Sequence, residues 1–79
     1  MNMIASTREV EHIRRHVLHT LIAAYGASCT SEVLRGHVNG VCDALAGTMD
    51  RRELAAATER LARAAVNREL HAAPSHVVW

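Results

Sequence analysis

The sequence predicts a small, mainly α domain, three helices followed by a short C-terminal β-hairpin. Three observations carry that prediction. Apolar residues recur at helical spacing in successive stretches, a helix start signal precedes each stretch, and the last dozen residues exchange this pattern for a turn signal and a Val-Val-Trp end. The 79 residues make one domain spanning 1–79, with residues 1–5 expected as a flexible N-terminal tail.

The first helix opens on Ser6 and Glu9, an S-x-x-E capping box in which each side chain satisfies a free amide at the helix start. Val10, Ile13, Val17, Leu21 and Ala24 then recur at helical spacing, and Gly26 supplies the stop. His12, His16, His19 and Ala23 gather on the opposite side, which is wet or faces a partner.

Ala27, Ser28 and Cys29 link to the second helix, for which Thr30 or Ser31 is the N-cap and Glu32 lies in the favourable first turn. Its apolar stripe is Leu34, Val38, Val41 and Leu45, and Gly47 is its stop. Gly36 and Gly40 fall inside it, each costing about 1 kcal/mol relative to Ala. Two readings stand side by side: a close approach of two backbones, or a weak and kinked helix.

Asp50 opens the third helix, expected over 49–66, and Glu53 completes a D-x-x-E variant of the capping box. Leu54, Ala57, Leu61 and Ala65 form its expected core stripe. Arg52, Ala56, Glu59 and Arg63 point the other way, with Arg51 and Arg60 alongside. Then Arg68 to His71 and His76 to Trp79 flank the turn residues Pro74 and Ser75, the pattern expected of a small hairpin.

Composition narrows the function classes. The hydrophobic fraction of 49% comes mostly from Ala, Val and Leu, with no Phe. A chain this short buries only about 60% of the surface its unfolded form exposes. A core of such small pieces leads us to expect a homodimer. The formal net charge is +1 and every basic side chain is Arg, so bulk charge does not drive this protein onto nucleic acid, although a local Arg stripe could. This Lys-free usage is that of a GC-rich bacterial genome or one of its phages. Cys29 and Cys42 are too few for a disulfide framework and read as small apolar fillers. Neither a signal pattern nor an apolar run of about 20 residues is present, so a cytoplasmic protein without membrane contact is expected.

The run Glu59-Arg60-Leu61-Ala62-Arg63-Ala64-Ala65-Val66-Asn67-Arg68-Glu69-Leu70, followed by Val77-Val78-Trp79, resembles the winged helix-turn-helix pattern, in which a recognition helix ends on a leucine, small residues and a valine before the first wing strand. The resemblance covers roughly Glu9 to Trp79 and extends to the short winged-helix proteins of Mu-like phages. It implies a small DNA-binding transcriptional regulator with the third helix in the major groove of double-stranded DNA. Arg51 and Arg52 would then meet base edges, Arg60 and Arg63 would meet phosphates, and Arg68, His71 and His76 would be wing contacts to the backbone. Against this, Glu53 and Glu59 share the helix, and Glu59 with Arg63 at i,i+4 fits an ordinary solvated face.

Other chemistries find less support. His12, His16 and His19 could converge on zinc, but no Cys, Asp or Glu at a supporting spacing completes a tetrahedral set. No phosphate loop, H-E-x-x-H or G-x-S-x-G occurs, so neither catalytic residues nor a cofactor are expected. The alternative from a different class is a protein-interaction module, a phage-type inhibitor or adaptor of a host protein, using the alanine-rich outer face of the third helix at Ala55 and Ala56.

Overall fold

The structure, a computed structural model, describes residues 4–72, the last by its backbone alone. It contains three helices: α1 (Thr7–Tyr25), α2 (Ser31–Leu45) and α3 (Arg51–Ala72). Each starts where a side chain can take up a free amide. Ser6 Oγ accepts from Glu9 N–H at 3.2 Å while Glu9 Oε1 accepts from Ser6 N–H at 2.8 Å. Thr30 Oγ1 accepts from Val33 N–H at 3.2 Å, and Asp50 Oδ1 from Glu53 N–H at 2.9 Å. Caps of this kind contribute about 1 kcal/mol each.

The helices run up, down and up, so α1 and α3 start at the same end. Ala5 N–H there donates to Met49 O at 3.1 Å, and Arg51 reaches Glu9. Five-residue links, 26–30 and 46–50, join them. In the second link Gly47 takes a φ of +84°, a region that suits glycine, and the Leu45 carbonyl accepts from both Thr48 N–H at 3.1 Å and Thr48 Oγ1 at 2.6 Å.

The core lies between all three helices. Val10, Ile13, Val17 and Leu21 come from α1, and Leu34, Val38 and Cys42 from α2. Ala24, expected in the α1 stripe, is exposed, and Val41 and Leu45 are only half-buried. On α3 the buried stripe is Leu54, Thr58, Ala62 and Val66, not Leu54, Ala57, Leu61 and Ala65 as the sequence predicted. Leu61 remains 39% exposed, while the small Ala62 and Thr58 are fully enclosed. Small side chains sit where α3 passes among its two neighbours, and the bulkier leucine is turned toward its flank.

The hairpin wing is the larger correction. Arg68 to His71, expected as its first strand, continue α3 as helix to Ala72, and no strand occurs among the described residues. Arg68, Glu69 and Leu70 are good helix formers, and a running helix extends at little cost once nucleated. Tertiary contact fixes the outcome: Leu70 packs against the core, and Glu69 Oε1 lies 3.0 Å from His37 Nε2 on α2. Over the described residues the fold is therefore a three-helix bundle, mainly α as expected but without the hairpin wing. The expected turn at Pro74 and Ser75 and the second strand from His76 lie outside the described residues.

Candidate nucleic-acid interface

The residues expected to contact DNA divide into groups. At about 100° per residue, Arg52, Arg60, Arg63 and His71 share one sector of α3 with Ala56 and Asn67. Arg51 is turned toward α1, where its Nη1 lies 3.7 Å from Glu9 Oε2 with the side chain 71% exposed. Arg68 falls on the flank toward α2, away from that sector, and His76 lies outside the described residues. Arg63 is half-buried and its Nε donates to Glu59 Oε2 at 3.2 Å, so this cation already has a counter-charge. Glu53 stands exposed at the edge of the same sector. The outer face of α3 is thus mixed in sign.

The outer face of α1 is not. Arg8, His12, Arg15, His16 and His19 follow one another at i, i+4, i+7, i+8 and i+11, all exposed, with no carboxylate among them. The carboxylates at its two edges are engaged. Glu9 accepts from Ser6 N–H and pairs with Arg51, and Glu11 lies 3.3 Å from Arg14 Nε. Arg8, Arg15 and Arg52 have no ion-pair partner among the described residues.

The two helices meet along one groove. His12 and His16 of α1 line one shallow groove with Arg51, Arg52 and Ala55 of α3, and Arg15 and His19 continue it along α1. The His12 and His16 rings stack with centroids 6.5 Å apart and planes 9° from parallel. Among the described residues no group of three His, Cys, Asp or Glu side chains is placed to hold a metal ion. Arg8 and Arg15 are absent from the contacts expected from the sequence. Their spacing with the histidines was the available signal, but the winged-helix resemblance draws attention to α3.

Cys29 is half-buried and Cys42 fully buried, and both are free thiols. No described helix is long and apolar enough to cross a membrane. No family model, curated protein or solved structure matches the chain.

Proposed function

We propose that this chain is a small DNA-binding protein that grips the duplex backbone with the outer face of α1 and the first turn of α3. One observation carries this reading: a row free of carboxylates, Arg8, His12, Arg15, His16 and His19, lies beside Arg51 and Arg52 on one side of a chain whose net charge is only +1. Charge gathered on one side, rather than in excess overall, is the footprint of phosphate contact. Between Arg8 and His19 no large apolar side chain interrupts the row, and the exposed Ile4 and Ile22 stand only beyond its ends. That arrangement favours a phosphate backbone over a bilayer surface, where apolar insertion accompanies the cations along the face.

The test is binding to random duplex DNA across a salt series. Arginine contacts to three or four phosphates give a log–log slope of about −3. Arg15→Ala and Arg52→Ala each flatten the slope by about one, whereas Arg68→Ala leaves it unchanged. Absence of binding at low salt, or capture by anionic vesicles with indifference to duplex, overturns the reading.

A second reading, a protein-interaction module that ignores DNA, draws on α3. There Ala56 and Ala64 surround a neutralised Glu59–Arg63 pair, and Leu61 is exposed. Native mass measurement separates the two, because a tight homodimer that takes up no duplex favours the second.

A further inference from the structure

The three histidines of the α1 row have no task in a grip made by arginines alone. We propose that they make DNA binding proton-coupled: His12, His16 and His19 take up protons as phosphate settles on the α1 row, so the duplex is held more tightly as pH falls. This inference rests on the DNA reading above.

The placement of charge supports it. His12 and His16 are both exposed within the row, their rings near parallel with centroids 6.5 Å apart. On their own helix the neighbouring charges are Arg8, Glu9, Glu11 and Arg15, and the two carboxylates are already held by Arg51 and Arg14. From α3, Arg51 and Arg52 line the groove with His12 and His16, and Asp50 adjoins those arginines while capping its own helix. From α2, Arg35 shares a hollow with Arg15, Arg14 and Glu11 on the far edge, and Asp43 is held by Arg14. Among the described residues no carboxylate beside the row is free to serve the imidazoles as a counter-ion. An incoming phosphate fills that role, and imidazole, which titrates near pH 6.5 when free, is the side chain able to answer it within the physiological range.

By linkage, each proton taken up on binding steepens the dependence of affinity on pH, up to about tenfold per pH unit. Phosphodiesters keep their charge throughout this range, so the change belongs to the protein. Between pH 8.0 and pH 6.0 the affinity for a short random duplex is expected to rise about tenfold or more.

The experiment uses the full chain and a short duplex, with titration calorimetry at pH 6.5 in two buffers of different ionisation enthalpy, and affinities from pH 6.0 to 8.0. The expected result is uptake of at least one proton per chain bound. The triple variant His12→Gln, His16→Gln, His19→Gln loses the uptake and the pH slope whatever its affinity at pH 8.0. Arg52→Ala binds more weakly at every pH and keeps the slope. Circular dichroism across the same range checks that the helices persist. Binding at pH 8.0 without proton uptake at pH 6.5 overturns the inference and leaves the DNA reading standing. Failure to bind at any pH overturns both.

Discussion

Arg14 of α1 reaches across to Asp43 of α2, its Nη2 donating to Asp43 Oδ1 at 2.9 Å, while its Nη1 donates to Asn39 Oδ1 at 3.0 Å. Burial of Arg14 opposes its charge, but the Asp43 hydrogen bond, with the charges of Asp43 and Glu11, outweighs that and holds the guanidinium above its ordinary range. The planar fork suits two acceptors one helical turn apart. Asp43 itself is 67% exposed, so solvent screens the pair from that side. Arg14→Ala is expected to destabilise the bundle by about 1 kcal/mol. A double-mutant cycle with Asp43→Ala in urea should return a coupling of about 0.5 kcal/mol, and zero coupling would reduce the contact to an ordinary surface pair.

The glycines separate by sign. A Cβ added at Gly36 or Gly40 meets nothing within 4 Å, so among the described residues no backbone approaches either one. Of the two readings open from the sequence, close approach within the fold is therefore removed. Gly36→Ala and Gly40→Ala should each stabilise by about 0.5–1 kcal/mol through helix propensity. Gly26 is the reverse, because its added Cβ would lie 2.5 Å from the Ile22 carbonyl oxygen, and Gly47 holds a positive φ. Alanine at Gly47 should cost about 1 kcal/mol. Thermal melts of the variants check the ordering, and a fall in Tm for Gly36→Ala would contradict it.

Helix starts were legible because each is a local device: Ser6 with Glu9, Thr30 and Asp50 act within one turn of themselves. The face that α3 buries was not. Its alanines and leucines satisfy two neighbouring stripes almost equally, and Leu61 weights the wrong one. The choice falls to Thr58 and Ala62, whose merit is small size between two other helices, a property of the packing rather than of α3. The wing failed for a related reason. Arg68 to His71 have no strong preference for strand, and the packing of Leu70 on the core with His37 opposite Glu69 shows that helix continues there. The candidate interface was half legible: the histidine face of α1 followed from periodicity, but its union with Arg51 and Arg52 needed the parallel placement of α1 and α3.

Thr58 is fully buried, and among the described residues its Oγ1 has no hydrogen-bond partner of ordinary geometry. The polar group it approaches is the Cys42 thiol, and sulfur is a weak acceptor. A buried hydroxyl left in this state is unfavourable by about 1–3 kcal/mol, and valine has nearly the same shape without it. Thr58→Val is thus expected to stabilise by about 1 kcal/mol, which for a domain of this size raises Tm by about 4–8 °C. A lowered Tm would mean that the hydroxyl makes a bond worth more than its desolvation.

Cys42 supplies the pH dependence. Its Sγ is buried 4.0 Å from the Val10 carbonyl oxygen, and that burial pushes the thiol above its ordinary range. Arg14 and the Thr58 hydroxyl pull downward, Asp43 and Glu11 push upward, and the balance stays upward. In the unfolded chain a thiol ionises near pH 8.5. Below that value both states keep the proton, and the Cys42 contribution to stability is fully present. Above it the unfolded chain releases a proton that the folded chain retains, so stability is lost as pH rises toward the folded value. In a Cys29→Ser background, urea midpoints should therefore fall from pH 8 to pH 9.5, and Cys42→Ala should flatten that fall while lowering stability at neutral pH. A thiol-reactive disulfide reagent gives an independent reading: Cys42 should react only through unfolding, more slowly in the stabilised Thr58→Val variant. Rapid labelling of the folded chain, with equal pH slopes in the two backgrounds, would place the thiol outside the core.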